Sequence, residues 1–441
     1  MARSNTSVIN HLDGGINHLS DLDIQKASDS STTDSTFPTT LKIVAETQVE
    51  VDEASKLFNV ISPHFSVKPT KYGGRSCFAN SDLTEGTIVH ECSLPLGSTI
   101  TRSFKKEVCG SCFTFLHGRT LKFKLMSSNN QQHDSTSVSS LALYFCSQAC
   151  VDQFIASDVD SLHLESLLHV ESLFIKGLSR HLSDLDRTQK KEEEATLQLE
   201  NELKQAKDIE LFISQKWQDA EIMCHMGLSK LKPKQRMNFN NLYNLIPKIN
   251  EDEYLEIKYI IGILFQMYKH DNCQNNNLLS LELQIFPLLQ SNDIEKISKY
   301  PYLLHSFTRI YKFLRISILD KLQPYITPSR IRSIIGKRLT NFFGIWSTDE
   351  PDVEKEFFGY LLYPSASFFN HSCHPNLIDT RTGATITFKL LKNVKQNEEL
   401  LISYVPSNND FETRQKDLKE WFFECLCERC IEEKNLKKPE K

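Results

Sequence analysis

Two cysteine-bearing stretches decide how this chain folds: NHSCHPN at residues 370–376 and CLCERC at residues 425–430. The second stretch places three thiols within six residues. Structural zinc sites are usually tetrahedral and take four ligands, so this run lacks one, and Cys373 in the first stretch is a reasonable source for it. The alternative is four unrelated thiols. If the zinc site forms, the two stretches meet in space.

The segment EELLISY at residues 398–404 lies between those two stretches. Its pattern is that of a turn followed by a short apolar strand, and the strand ends in Tyr404. We therefore treat the end of this strand as a candidate site. The alternative for Tyr404 is an ordinary core tyrosine at a strand end.

A second set of cysteines has the spacing of another structural zinc site. Cys109 and Cys112 are separated by two residues, and Cys146 and Cys150 by three. Paired cysteines at such spacing, in a reducing compartment, indicate zinc more strongly than incidental thiols. The chain holds 12 cysteines and begins with no charged-then-apolar leader, which favours an intracellular protein. The sequence leaves the choice between nucleus and cytoplasm open.

Length and charge restrict the remaining classes of protein. The 441 residues are enough for two or three domains. The net charge of −5 gives no general electrostatic attraction for nucleic acid, so we expect no direct contact with DNA or RNA. The longest apolar run, residues 259–265, is far shorter than the roughly 20 residues that cross a bilayer, so we expect no membrane span.

The pattern along the chain predicts a disordered tail, two β-rich parts and a helical part between them. Residues 1–57 are expected to be the disordered tail, since residues 1 to about 40 are rich in Ser, Thr, Asp and Asn and cannot bury enough apolar surface to order themselves. Residues 67–95 alternate strands with a Gly-rich turn, and residues 160–340 show mainly helical periodicity. Near the end, residues 341–345 predict a helix-to-turn segment, and a strand pair is expected around residues 380–383.

Three histidines on the predicted helical turns are expected to be surface or capping residues rather than metal ligands. They are His163, His169 and His181.

Together these motifs resemble the SET-domain lysine methyltransferases, especially the small fungal members of the SET and MYND subfamily. The resemblance covers residues 67–430 and implies an α+β fold. Its mostly β SET part, residues 58–404, would have a knot-like crossing of the loop at residues 370–376, which we call the heptad, and the strand that ends in Tyr404. A zinc-binding MYND-like module at residues 105–155 and a helical insert at residues 156–340 would interrupt it. A post-SET zinc segment and tail would occupy residues 405–441.

The resemblance also implies a site for S-adenosylmethionine. Asn370 and His371 would hold the adenosyl end, Asn341 the ribose or methionine part, and Phe423 would lie against the adenine. Tyr404 would be the catalytic tyrosine and also contact the cofactor. The turn of Gly74 and Arg75 would also contact the cofactor. At the next position this chain has Ser76, where the family more often has glycine.

Two structural zinc ions are expected from the same resemblance, one in each cysteine set. The MYND pattern usually has eight ligands, but only four are visible here, so we expect a single zinc in that module. The predicted metal ligands are Cys109, Cys112, Cys146, Cys150, Cys373, Cys425, Cys427 and Cys430.

The implied function is methyl transfer to a lysine of a histone or non-histone protein by a monomeric enzyme. Aromatic residues near the motifs could line a lysine channel or belong to the core, and they are Tyr360, Tyr363, Phe368 and Phe369. A second hypothesis is a zinc-stapled interaction protein without activity. The coexistence of Asn370, His371 and Tyr404 favours the enzyme, since an inactive protein has little reason to keep all three. A redox or metal-handling thiol protein is a third and weaker hypothesis.

Overall fold

The structure is a computed structural model, and its described residues are 56–72, 74–127, 141–181, 185–232, 243–273, 277–347 and 355–436. Residues 1–55, which hold nearly all of the predicted tail, lie outside these ranges, as do the last five residues of the predicted C-terminal tail.

Twelve strands in the described residues form five small sheets. Every pairing is antiparallel except one. The strands are β1 (Phe65–Pro69), β2 (Arg75–Ala79), β3 (Ile88–Cys92), β4 (Gly97–Ile100), β5 (Phe123–Leu125), β6 (Leu143–Phe145), β7 (Phe343–Trp346), β8 (Phe357–Leu362), β9 (Asn370–His371), β10 (Leu377–Thr382), β11 (Thr385–Leu390) and β12 (Leu401–Ile402).

The sheet topology joins strands from both ends of the chain. β1 pairs with β2, β5 with β6, β3 with β11 of the β10–β11 hairpin, and β8 lies between β4 and β7. The parallel pairing is β9 with β12. The predicted hairpin around residues 380–383 is therefore confirmed, and the predicted strand at residues 400–404 is reduced to two residues.

Helices fill the middle of the chain, as the periodicity predicts, and others lie in the C-terminal segment. They are α1 (Gln148–Ser157), α2 (Leu162–His181), α3 (Leu185–Gln205), α4 (Ile209–Ser229), α5 (Glu251–Asn272), α6 (Asn277–Ile285), α7 (Asp293–Lys299), α8 (Tyr302–Ser317), α9 (Pro328–Asn341), α10 (Phe411–Leu418) and α11 (Glu428–Leu436). Several begin with a side-chain cap. At α5, Asn250 and Glu253 exchange hydrogen bonds in a capping box, which satisfies amides that the first turn leaves without partners.

One apolar core connects the helices to the strands. The apolar run of residues 259–265 is buried in α5, where it packs in the same core as Phe65 of β1 and Phe388 of β11. Burying each large apolar side chain contributes about 1.5–3 kcal/mol to stability. Because helices and strands bury such side chains in the same core, this core holds the helical part and the strands of the α+β fold together. The expected fold class is confirmed.

Two local predictions are wrong. Residues 341–345 form the end of α9 followed directly by β7, so the helix leads into a strand rather than a turn. His163 is not a surface residue, because its ring lies between Phe154 and Phe265, with centroids 5.6 and 4.9 Å away. His169 Nε2 lies 2.9 Å from the carbonyl oxygen of Ser317. The side chain of His181 lies outside the described residues.

Candidate active site

The site is built where β9 and β12 run parallel. Asn370 lies opposite Leu401, and His371 opposite Ile402. Asn376 holds this crossing from the side, since its Nδ2 donates to the Glu399 carbonyl and its Oδ1 accepts from the Leu401 amide, both at 2.8 Å. Asn376 is buried, and its amide both donates to and accepts from the backbone of the β12 segment. These hydrogen bonds fix the register of the two-residue strand.

His371 and Tyr404 contact each other at this crossing. The amide of Tyr404 donates to Nδ1 of His371 at 2.9 Å, and the Tyr404 hydroxyl donates to the carbonyl of Phe369 at 2.9 Å. Burial lowers the pKa of His371 to about 4 and raises the pKa of Tyr404 above its ordinary value. At pH 7 the imidazole is therefore neutral and the phenol protonated, and Tyr404 acts as a hydrogen-bond donor.

The Gly74 turn lies next to the crossing. Asn370 Nδ2 donates to the carbonyl of Arg75 at 3.1 Å, and the Tyr72 hydroxyl donates to the carboxylate of Glu399. Gly74 has φ +68°, and a Cβ built on it would have no atom within 4 Å. Glycine adopts this left-handed conformation at no steric cost, so the turn presents bare backbone to open space.

Asn341 bonds to the same segment of the helical insert as Arg75, and its amide is therefore already engaged within the protein. Four successive carbonyls, those of residues 287–290, accept hydrogen bonds from three side chains. Lys337 Nζ donates to the first and third at 2.9 and 2.7 Å, Arg75 donates to the second, and Asn341 Nδ2 donates to the fourth at 2.9 Å. Arg75 and Asn341, 266 positions apart in the sequence, thus hold one turn of the helical insert.

The C-terminal cysteines gather around Cys373. Its sulfur lies 3.9 Å from that of Cys425 and 3.5 Å from that of Cys430, and Cys427 completes a set whose sulfurs all lie within 4.8 Å of one another. Four thiolates at a Zn–S distance of about 2.3 Å would lie about 3.8 Å apart in a tetrahedron, so this donor set fits zinc. Arg414 lies near the cluster, with Nη2 3.8 Å from the Cys430 sulfur.

The other four cysteines form a second set of the same kind. The sulfur of Cys146 lies 3.6 Å from that of Cys112 and 3.5 Å from that of Cys150, and its amide donates to the Cys109 sulfur. All four sulfurs lie within 4.8 Å. Four thiolates leave no open coordination position for water, so zinc at either cluster would be structural.

The sequence left open whether four aromatic residues line a lysine channel or belong to the core. The four aromatic residues named from the sequence are buried in the core, and the hydroxyls of Tyr360 and Tyr363 are bonded to Glu256 and the Ala384 carbonyl. The rings beside Tyr404 are instead those of Trp421 at 5.1 Å and Phe423 at 6.3 Å. Phe423 also lies 6.0 Å from the His371 ring.

Sequence reasoning missed three contributors to the site: Asn376, Lys337 and Trp421. Asn376 carries a detectable signal, since it closes the heptad. Lys337 and Trp421 carry none, because a lysine in a helix and a tryptophan near a chain end are common in any protein. Only the approach of distant segments gives them a role.

Comparison with known proteins identifies the family. Residues 74–405 match the SET domain. The potential protein lysine methyltransferase SET6 of Saccharomyces cerevisiae is 30% identical over 384 residues, which cover 85% of this chain and 96% of that protein.

Two further relatives match over shorter segments. A SET and MYND domain-containing protein of Dictyostelium discoideum is 40% identical over 105 residues, 24% of this chain and 26% of that protein. Histone-lysine N-methyltransferase ASHR2 of Arabidopsis thaliana is 32% identical over 123 residues, 26% of this chain and 31% of that protein.

The chain belongs to the SET domain family. Its resemblance to the SET and MYND proteins is also confirmed by these relatives. In the residues that the structure describes, no helix is both long and apolar enough to cross a membrane.

Proposed function

We propose that this protein is a protein-lysine N-methyltransferase that uses S-adenosylmethionine. The observation that supports this most is the β9–β12 crossing, which places Asn370, His371 and Tyr404 in one site with Phe423 beside it. The names of the similar proteins, which describe lysine or histone-lysine methyltransferases, agree with this proposal.

The residues present fit the cofactor that the family uses. The open backbone at Gly74 would allow the cofactor to approach closely, and the aromatic face of Phe423 beside His371 would offer a stacking surface. Asn370, which donates to the Arg75 carbonyl, would line the cleft at the Gly74 turn. A contact of Asn341 with the cofactor stays a prediction, because its amide bonds to the Gln290 carbonyl. When bound, S-adenosylmethionine supplies the activated methyl group.

The protein's own part in the reaction is to position a neutral amine. A free lysine must lose its proton to attack, which costs roughly 4.6 kcal/mol at pH 7. A dry aromatic channel disfavours the ammonium form and lowers that cost. Tyr404, which stays protonated, would orient the amine through its hydroxyl rather than accept its proton.

The names of the relatives indicate a class of substrate but not a particular substrate protein. We propose a protein that presents a lysine, either a histone or a non-histone protein. A monomeric state and the absence of nucleic acid contacts stay predictions, as does the division between nucleus and cytoplasm.

The test is transfer of labelled methyl from S-adenosylmethionine into a cell extract. Tyr404→Phe should reduce transfer by at least about a hundredfold, because the hydroxyl that orients the amine is lost while the ring stays. Tyr363→Phe is the matched control, since that hydroxyl also donates to a main-chain carbonyl, at 2.7 Å, but to Ala384 in the turn between β10 and β11. Wild-type protein that binds S-adenosylhomocysteine yet transfers no methyl would support the interaction-protein hypothesis instead.

A further inference from the structure

Four consecutive residues before the C-terminal cysteines, 420–423, face two different parts of the protein. Glu420 and Phe422 contact α7 of the helical insert, whereas Trp421 and Phe423 contact Tyr404. A 3-10 turn, Lys419–Trp421, lies at this point of the chain, and Phe422 after it has a left-handed φ of +62°. This change of backbone direction lets successive side chains face opposite sides. We call residues 420–423 the strap.

The outer side of the strap is an ionic contact with α7 and the residue that follows it. Glu420 pairs with Lys299 at 2.9 Å and with Lys296 at 3.5 Å, and it accepts from the Tyr300 hydroxyl at 3.4 Å. The ring of Phe422 lies under the same two ammonium groups, with its centroid 5.2 Å from Lys296 and 5.8 Å from Lys299. The Glu420 carboxylate and the Phe422 ring thus contact the same two lysine ammonium groups.

This ionic contact is partly shielded from water, so it should contribute to stability. The side chain of Glu420 is 18% exposed and that of Lys296 is 8% exposed. Exposed ion pairs contribute little because water and salt screen them, but partly buried pairs keep more of their attraction. An aromatic face beside the same ammonium groups adds a cation–π contribution.

The inner side of the strap reaches the candidate active site. The Trp421 ring stacks on Phe342, with centroids 5.8 Å apart at an interplanar angle of 24°, and lies 5.1 Å from Tyr404. Phe423 lies 6.0 Å from His371. A shift of the strap away from α7 would therefore move both rings away from the site.

The cysteine cluster anchors the C-terminal segment on only one side of these rings. Its three C-terminal thiols begin at Cys425, after the strap. The ion-pair contact of Glu420 lies on the other side of Trp421 and Phe423 in sequence. With both anchors in place, the two rings are held from both ends.

We propose that Glu420 is a positioning residue that fastens the strap to α7 and so sets Trp421 and Phe423 against Tyr404 and His371. The helical insert thereby controls closure of the C-terminal segment over the site. The effect on catalysis rests on the proposed methyltransferase function, whereas the fastening itself does not.

The experiment compares Glu420→Gln with Glu424→Gln. Glu424 is the matched control, because it also pairs with a lysine, Lys434 at 3.0 Å, but that lysine belongs to the same C-terminal segment. The first measurement is acrylamide quenching of Trp421, taken as the difference between each protein and its Trp421→Phe counterpart. Quenching should rise about threefold in Glu420→Gln and stay unchanged in the control.

The second measurement is the affinity for S-adenosylhomocysteine. Glu420→Gln should weaken binding about tenfold, a size typical of the coupling between contacting charged groups. Wild-type affinity should fall as NaCl rises from about 50 to about 500 mM, and the affinity of Glu420→Gln should respond much less. Adding Lys299→Gln to Glu420→Gln should weaken binding little further, because the shared contact is already broken, whereas two independent losses of stability would add.

The outcomes separate this proposal from the proposed function. If Trp421 in Glu420→Gln is as shielded as in the parent, Glu420 does not fasten the strap. If the parent binds no S-adenosylhomocysteine, the methyltransferase proposal fails, but the quenching comparison still tests the fastening. Should Glu420→Gln not fold, Lys299→Gln removes the closer partner from a half-exposed position and takes its place.

Discussion

His90 of β3 is a buried titratable residue next to a buried carboxylate. It is 5% exposed, and its Nε2 lies 3.0 Å from the hydroxyl of Ser365, which in turn donates to Glu282 of α6 at 2.5 Å. Burial lowers the pKa of His90 to about 4. The side chain links the strands to the helical insert in its neutral form.

The stability of the protein should depend on this group below neutral pH. An unfolded histidine binds its proton near pH 6.5 and folded His90 near pH 4, so the unfolded state holds more protons between these values. The contribution of neutral His90 is therefore complete above pH 6.5 and is lost as pH falls toward 4, by up to about 3 kcal/mol.

Urea unfolding at pH 7 and pH 4.5 measures this contribution. His90→Gln should flatten the pH dependence, while the control His117→Gln, at an exposed position, should leave it as in the parent. An unchanged slope in His90→Gln would show that other groups set the acid stability.

Gly359 of β8 is a position where only glycine fits. Its φ is +151°, and a Cβ would lie 2.0 Å from the carbonyl oxygen of Thr99 on the paired strand. Gly359→Ala should therefore lower the free energy of unfolding by at least about 3 kcal/mol, because the β4–β8 pairing must open.

The control for this prediction is Gly177→Ala in α2. A Cβ at Gly177 meets no atom within 4 Å, so this change should stabilise the helix by about 0.5–1 kcal/mol. Equal effects of the two substitutions, measured by thermal unfolding, would contradict the argument.

At the scale of elements, the two cysteine clusters join different pieces of the chain. One ties the loop at residues 109–112 to β6 and α1, and the other ties the heptad to the start of α11. Both sets of sulfurs have the spacing of a tetrahedral zinc site, yet only the second lies next to the candidate active site.

Removing one thiol from each cluster should give different results. Metal analysis should find about two zinc ions in the parent and about one in either Cys427→Ser or Cys150→Ser. Cys427→Ser should also abolish most of the binding of S-adenosylhomocysteine, because Phe423 loses its anchor. Cys150→Ser should leave that binding nearly unchanged, and a loss of equal size there would refute a separate role for the two clusters.

At the scale of the whole molecule, the helical insert and the strands share one apolar core. The buried cluster includes Trp217 of α4 together with Phe65 and Ile345 of the strands, and Trp346 packs against it. The buried contact between Glu282 and Ser365 adds a polar link across the same boundary. Parts joined through a continuous core are expected to unfold together.

Single-tryptophan proteins test this expectation. In each protein, with the other tryptophans replaced by phenylalanine, urea unfolding followed by the fluorescence of Trp217 or Trp346 should have the same midpoint as unfolding of that protein followed by far-UV circular dichroism. A fluorescence midpoint that differs from the circular dichroism midpoint of the same protein would mean that the insert is an independent folding unit.

Local spacing in the sequence determined the cysteine pairs, the C-terminal cysteine triplet and the motifs of the site. These are recognisable because each keeps its groups within a few residues. Which of them meet to complete each set of four thiols depends on the fold. Helical periodicity was equally readable, since the apolar face of a helix repeats every 3.6 residues.

Only the tertiary structure decided which side chains surround Tyr404. The sequence offered Tyr360 and Tyr363 as candidates, but both are core residues, whereas Trp421, which it did not offer, lies beside Tyr404 together with the expected Phe423. The physical reason is that side-chain direction beyond the local element depends on which distant segments pack together. Neither the strap on α7 nor the turn held by Lys337 has a local signature, because each contact joins residues far apart in the chain.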